Sequence, residues 1–499
     1  MSKRNGPRYA LLGLFLIALL AALAFTVKRT PDAAEPAGQA AQVAQADDSQ
    51  LQSLAELDGK EPARRKLDIQ SWQTAEGAKV LFVEARELPM FDLRLTFAGG
   101  SSQDGDVPGL ALLTNAMLNE GVPGKDVGAI AAGFESLGAE FGNGAYRDMA
   151  VTSLRSLSAA EQREPALKLF EQVIGQPTFP ADSLARIKNQ ILAGFEFQKQ
   201  NPGKLASLEL FERLYDEHPY GHPSEGNAQS VPGISREQLQ AFHAKAYAAG
   251  NAVIALVGDL SREEAQAMAA EVSAALPKGP ALAKTVEPQA PQPGLTHIDF
   301  PSNQTHLLIA QLGITRQDPD YAALYLGNQV FGGGGFGTRL MTEVREKRGL
   351  TYGVYSGFTA MQARGPFMIN LQTRAELSEG TLQLVKDLLG EFVANGPTQQ
   401  ELDAAKREMA GSFPLSTASN AAIVGQLGAI GFYDLPLTYL EDFMAQVQAL
   451  SVEQVKAAMA KHLDPEALVI VTAGPKVVQK ELPPPTDQPA EMPAAVPEH

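Results

Sequence analysis

Apolar positions along the chain fall into two stretches that repeat one order of elements. In the first, KVLFVEA and FDLRLTFAGG are rich in β-branched and aromatic residues and predict strands. Helical patterns follow, and MAVTSLRSL predicts another strand. Three long amphipathic stretches come next (EPALKLFEQVIG, DSLARIKNQILAGFEFQKQ and SREQLQAFHAKAYA), and NAVIALVGD, a strand, leads into a last helix. In the second stretch HLLIAQLGI precedes a helix, TYGVYSGF and FMINLQTR. Then come EGTLQLVKDLLGEFVA, TQQELDAAKREMAGSF and SVEQVKAAMAKHL, closed by ALVIVTAG. Helices follow groups of strands instead of alternating with them, which predicts an α+β fold. Two such pseudo-repeats, each a sheet backed by helices, leave a cleft between them, a common place for a ligand.

The breaks between patterned stretches set the expected domains. Residues 1–30 are a signal peptide or membrane anchor, because the basic start MSKRNGPR is followed by 19 uncharged residues, Tyr9–Val27. Ala22–Ala24 permits cleavage, while the length of the run favours an anchor. The basic start predicts a cytoplasmic N-terminus and an extracytoplasmic, periplasmic body held at the inner membrane. Residues 31–63 read as a flexible linker, 64–276 as an N-terminal domain, 277–295 as a Pro-rich linker, 296–476 as a C-terminal domain, and 477–499 as a Pro-rich tail. From about Pro483 the tail is not expected to pack.

Composition removes whole classes of function. The formal net charge is −16, and the five Lys and Arg of residues 1–30, which contain no acid, leave the remainder more acidic still. Such a body repels phosphate backbones, so nucleic acid is not an expected partner. No cysteine is present, which excludes disulfides, thiol nucleophiles and thiolate metal sites. The G-x-S-x-G, P-loop, H-E-x-x-H and H-x-x-E-H motifs are all missing. His218 and His222, in DEHPYGHP, are close in sequence, but Pro219 and Gly221 break any helix that would put both on one face, so a turn-stabilising role is expected. His243 reads as a packing residue.

One stretch, Phe331 to Phe358 (FGGGGFGTRLMTEVREKRGLTYGVYSGF), carries more. The glycines Gly332, Gly333, Gly334 and Gly335 allow close approach of another backbone. Thr338–Lys347 predicts a helix, Gly349 suits its C-terminal turn, and TYGVYSGF predicts a strand. Arg345 and Tyr352 then bracket one helix-to-strand corner, where a guanidinium and a phenol could hold a peptide carbonyl and stabilise an oxyanion. A surface ion pair and a packed aromatic are the plainer alternatives.

From Arg64 to Pro475 the chain resembles the pitrilysin/insulinase-type zinc peptidases, both halves in order. VREKRGLTYGV is similar to the family segment bearing an Arg/Tyr pair, HPYGHP to a recurring turn, and the Gly332–Gly335 run to the glycine-rich substrate loop of the substrate-binding subunit of mitochondrial processing peptidase. The resemblance implies the processing-peptidase fold, with two homologous domains each built on a mixed or antiparallel sheet. GLALLTNAML resembles the helix that carries H-x-x-E-H in active members, where two histidines bind zinc and a glutamate activates water. Here those positions are Leu112, Asn115 and Ala116, so no metal is expected on this chain. The third family ligand falls near Ala193–Gly194, and Glu196 is the acid nearby. The resemblance implies a non-catalytic subunit that binds peptide or unfolded protein. It would lend Arg345 and Tyr352 in trans to a zinc-bearing H-x-x-E-H homologue in a heterodimer, with the zinc in the partner. A purely structural subunit and an independent peptidase with a new site are the competing readings.

Overall fold

The computed structural model describes residues 66–486. The apolar run Tyr9–Val27, the linker of residues 31–63 and the end of the tail lie outside the described residues. Among the described residues no helix is long and apolar enough to cross a membrane.

The first half builds a six-stranded sheet from β1 (Gln70–Gln73), β2 (Lys79–Glu84), β3 (Met90–Phe97), β4 (Glu140–Ala145), β5 (Ala150–Leu157) and β6 (Ala252–Gly258), in the order β1-β2-β6-β3-β5-β4. The second half builds a five-stranded sheet from β7 (Gly294–Asp299), β8 (Gln304–Leu312), β9 (Val354–Phe358), β10 (Pro366–Arg374) and β11 (Val469–Gly474), in the order β9-β10-β8-β11-β7. The pseudo-repeat is visible in the pairing. β2 runs parallel to β6, which is antiparallel to β3, which is antiparallel to β5. In the same way β7 runs parallel to β11, which is antiparallel to β8, which is antiparallel to β10. The fold is therefore α+β with two mixed sheets.

Helices α1 (Leu110–Ala116), α2 (Val127–Ser136), α3 (Ala160–Gly175), α4 (Ala181–Gln198), α5 (Pro202–Tyr215), α6 (Arg236–Ala246) and α7 (Arg262–Ala275) belong to the first half. The second half holds α8 (Tyr321–Asn328), α9 (Ser378–Asn395), α10 (Gln399–Ser412), α11 (Asn420–Phe432), α12 (Tyr439–Ala449) and α13 (Val452–His462). Capping boxes start α6 (Ser235/Gln238), α7 (Ser261/Glu264), α10 (Thr398/Glu401) and α13 (Ser451/Gln454). Each cap satisfies otherwise orphaned backbone donors, and replacing such a residue by Ala costs about 0.5–2 kcal/mol.

Strand alternation fixes the cores. On β3, Phe91, Leu93, Leu95 and Phe97 point to the helical layer and are fully buried. Each such side chain contributes about 1.5–3 kcal/mol of apolar burial. The opposite faces of the two sheets are covered reciprocally. From the first half, α5 lays Ala206, Leu210 and Leu214 on Leu308, Ala310, Val469 and Val471 of the second sheet. From the second half, α11 lays Ile423, Val424, Leu427 and Ile430 on Leu81, Val83, Val253 and Ala255 of the first. A hydrogen-bond cluster joins the halves as well. The Tyr220 hydroxyl donates to Asp148 and accepts from the Ala363 N–H (3.2 Å), while the Gln362 N–H donates to Asp148 Oδ2 (2.8 Å).

The segment after β11 packs on the second half ahead of Pro483, from which the tail is expected not to pack, and past that point Thr486 has a partner too. The Gln479 side chain accepts from Glu379 N (3.1 Å) and donates to Ala375 O (3.0 Å), and Leu482 lies against Gly380 of α9. Thr486 N then donates to Lys347 O at 2.9 Å. Backbone donors at a helix start and backbone acceptors near the Arg345 turn give this proline-rich segment partners that its composition does not announce.

Candidate functional site

The chain reaches α1 from β3 through a tight loop. Asp104 is buried and accepts from Gly109 N (2.8 Å) and Ala111 N (2.7 Å), so its carboxylate holds the entrance to the helix. Burial pushes that carboxyl up to about 7 against the pull of the two N–H donors. His222 lies 4.0 Å from it and is held below the usual histidine range by burial.

Along α1, Leu112 and Ala116 offer no atom able to bind a metal. Asn115, between them, is buried, and its Nδ2 donates to Val151 O (3.2 Å) and to the Tyr247 hydroxyl (3.0 Å). Its own carbonyl accepts from Asn143 Nδ2 at 2.7 Å. The amide thus ties α1 to β5, to β4 and to the end of α6, a structural task in place of an acid-base one. Glu196 on α4 lies at the surface and pairs with Lys199 at 2.7 Å.

The histidines have ordinary partners. His218 Nε2 donates to Val286 O (2.7 Å) while Nδ1 accepts from Tyr220 N (3.1 Å), so both ring nitrogens serve the HPYGHP turn. His243 donates to Ile174 O (2.7 Å) and stacks on Tyr247. Among the described residues, one trio has metal-ligand spacing, Asp318, Asp320 and His462. There Asp320 Oδ2 already accepts from Lys461 Nζ (2.6 Å) and His462 Nε2 (2.9 Å).

The second-half corner is built from local sequence. A wide π-type turn, Met341–Glu346, buries Met341 and Val344 in the second core. Arg339 clamps its approach by a paired contact to Glu401 at 2.8 Å on both oxygens. Burial raises the Glu401 carboxyl, but the Arg339 fork and the Thr398 bonds outweigh it and hold the group at about 2. Glu343 braces the exit by accepting from Lys347 (2.6 Å) and Arg348 (2.8 Å). Gly349, at φ +59°, reverses the chain, a conformation that costs a side-chain-bearing residue about 1 kcal/mol or more. The strand begins at Val354, later than its sequence pattern suggests, because the Thr351 hydroxyl bonds the Gly353 N–H (3.1 Å) and C=O (2.8 Å) in a tight turn.

That turn leaves Tyr352 74% exposed. The Arg345 guanidinium lies 5.1 Å from the centre of its ring and 4.6 Å from that of Phe336. The corner therefore presents a cation and a phenol side by side. Phe336, itself 72% exposed, is a third member of the group. Its signal in the sequence is the one aromatic residue interrupting the glycine run. The glycines divide by role. A Cβ on Gly332 would press on Leu340 and Ser356, one on Gly333 on Asn328, and one on Gly334 on Gln329 and Thr338, whereas Gly335 faces open space. Gly332 and Gly333 are required by the chain's own packing, Gly334 is tightly neighboured, and of the four only Gly335 leaves room for another backbone.

Two mixed sheets in one repeated topology, with a ligand-free helix where a metal site would stand, define a pseudo-peptidase of the metallopeptidase type. Residues 233–409 match the family model described as the peptidase M16 inactive domain. The crystal structure of a peptidase M16 inactive domain from Pseudomonas fluorescens is 75% identical, has a TM-score of 0.82, and covers 84% of this chain and 100% of its own. The chain belongs to the M16 peptidase family, the pitrilysin/insulinase type, on its inactive side. The non-peptidase homolog YmxG of Helicobacter pylori is 28% identical, over 77% of this chain and 89% of its own length. An uncharacterized zinc protease of Mycobacterium bovis is 25% identical over 77% of this chain and 88% of its own. A protease structure from Helicobacter pylori, 16% identical, shares the fold with a TM-score of 0.75, covering 82% of this chain and 100% of its own.

Proposed function

We propose that this pseudo-peptidase is the non-zinc subunit of a heteromeric metallopeptidase, binding peptide and placing Arg345 and Tyr352 at the active site of an H-x-x-E-H partner. The observation that carries this reading is the pairing of half-buried Arg345 with exposed Tyr352 at one corner, the guanidinium 5.1 Å from the ring centre, in a chain whose α1 has no zinc chemistry of its own. In such a complex the partner would hold the zinc. The phenol hydroxyl and the guanidinium would donate to the carbonyl oxygen of the scissile bond as it gains charge, where a prearranged donor is most effective. A peptide or unfolded segment would cross the cleft, with Gly335 beside it. The body would sit on the periplasmic side, held at the inner membrane through residues 1–30. Reconstitution with the zinc homologue tests this: turnover should require both subunits and should fall when Tyr352 is replaced by Phe. Undiminished turnover would reject it.

A scaffold role without catalysis is the second reading. It is favoured by one feature, that Arg345 is already engaged by the rings of Phe336 and Tyr352. That reading forecasts that corner substitutions leave turnover unchanged and affect assembly alone.

A further inference from the structure

The inner face of the first sheet carries an arginine that the fold does not use. On β3, Asp92, Arg94 and Thr96 point away from the helical layer to the face crossed by α11. Asp92 is answered across the ladder by Arg155, which donates from Nε (3.0 Å) and Nη2 (3.3 Å). Glu140, opposite Arg155 on β4, completes that charged row. Among the described residues Arg94 has no such partner: it makes no ion pair and no hydrogen bond there, and the ionisable group that acts on it is the phenol of Tyr146. Its Nε is enclosed, and Thr96 Oγ1 beside it is enclosed without a partner too.

The surroundings admit this cation. α11 crosses Arg94 at Gly428, where a Cβ would stand 3.0 Å from Arg94 Nε and 3.2 Å from Thr96 Oγ1. A larger residue there would displace the arginine stem. α11 covers β2, β6 and β3. Beyond it, the row beside Arg94 continues through Ser153 to Gly142, and the next row runs from Thr96 through Val151 to Gly144. Toward the edge strand Ser153, Gly142 and Gly144 form a low, partly exposed floor beside the buried Val151, with Tyr146, 58% exposed, at its end. A half-buried guanidinium without a counter-charge is costly, and a carboxylate offers it the two parallel hydrogen bonds its fork is shaped for.

We propose that Arg94 is a carboxylate-recognition site for an extended peptide lying on this floor. The carboxylate is either an acidic side chain or the peptide's C-terminal group. The inference deepens the peptide-binding reading above, and because it concerns binding by this chain alone it stands or falls separately from catalysis in trans. The chain's net charge of −16 gives no general attraction for anionic peptides, so discrimination reports the local site.

The test uses the isolated chain and fluorescence anisotropy with a family of short labelled peptides. One carries a central Glu and a free C-terminus, a second has Gln in place of Glu, a third has an amidated C-terminus, and a fourth has both changes. The wild type should bind a carboxylate-bearing peptide about tenfold or more tighter than the fourth peptide, the scale of one charge-assisted contact. The second and third peptides show which carboxylate is read. Arg94→Gln should abolish the preference while leaving binding of the fourth peptide unchanged, and Arg94→Lys should restore only part of it. Arg94→Met, which keeps the stem against Gly428, serves as the second uncharged variant if the glutamine variant does not fold. Equal binding of all four peptides by the wild type, no binding of any, or an undiminished preference in the uncharged variant would overturn the assignment.

Discussion

Arg345 and Tyr352 stand seven positions apart in sequence and face each other across a single turn, the guanidinium 5.1 Å from the ring centre. The turn between them is held from beneath by Val344 and Leu350, both buried, and by Gly349 in the left-handed region. Tyr352 is exposed and Arg345 half-buried beside it, while the backbone that carries them is anchored, an arrangement that holds donors in a fixed place.

If the corner acts in trans, Tyr352→Phe should slow peptide hydrolysis by the reconstituted complex by about 10²–10³, the usual cost of losing one oxyanion donor. Arg345→Ala should cost at least as much, part of it in substrate binding. Tyr352→Phe should not lower the melting temperature appreciably, since Tyr352 is 74% exposed. Steady-state kinetics beside size-exclusion chromatography checks this, and normal turnover in intact complexes counts against it.

Asn115 should matter for stability and not for metal. Replacing it by Ala removes two donated bonds, to Val151 O and the Tyr247 hydroxyl, and leaves those buried oxygens without that partner. The expected loss is about 1–3 kcal/mol in denaturant unfolding. Metal analysis of the purified wild type should find no stoichiometric zinc, because Leu112 and Ala116 supply no donor. One tightly held zinc per chain, with chelator-sensitive peptidase activity, would contradict this.

Asp104 should tilt stability with pH. Its carboxyl titrates at about 7 in the fold and ordinarily near 3.8, so the folded chain holds the proton more tightly. The stabilisation from this group is therefore complete below about pH 4 and is lost as pH rises towards 7. His222 and His243, both kept below 6.5 by burial, contribute in the opposite sense, losing stability as pH falls. Comparing wild type with Asp104→Asn isolates the carboxyl. The wild type's margin in melting temperature over the variant should shrink between pH 4 and pH 7 and then level off. A margin that grows with pH would refute the assignment.

Tyr220→Phe should weaken the join between the halves. The substitution leaves Asp148 without its phenol donor and the Ala363 N–H without its acceptor, both in buried surroundings. A loss of about 1–3 kcal/mol follows from stranding buried polar groups. Hydrogen exchange should quicken at the Gln362 and Ala363 amides before it quickens in β3 or β8. Unchanged protection at those two amides would show that the phenol does not hold the join.

What the sequence determined by itself was local. Period-2 and helical patterns placed most strands and helices of both halves, because each buries one face and its side chains repeat accordingly. Spacing placed Arg345 and Tyr352 at one helix-to-strand corner, but the role expected of that pair, and the choice of Leu112, Asn115 and Ala116 as the positions to inspect, came from the family resemblance. Three matters were decided only in the tertiary structure. The two exchanged helices, α5 and α11, did not stand out in the pattern, and α11 (NAAIVGQLGAIGF) is small and apolar on nearly every side. It lies against a sheet built hundreds of residues earlier, and no local signal encodes that destination. Phe336 became part of the corner only when the glycine run folded back over the turn. Arg94 looked like any polar residue of an alternating strand, FDLRLTF, since alternation tells which residues share a face but not what that face meets. Whether its charge is answered depends on Asp92 pairing with Arg155 and on α11 crossing at Gly428, contacts between segments far apart in the chain.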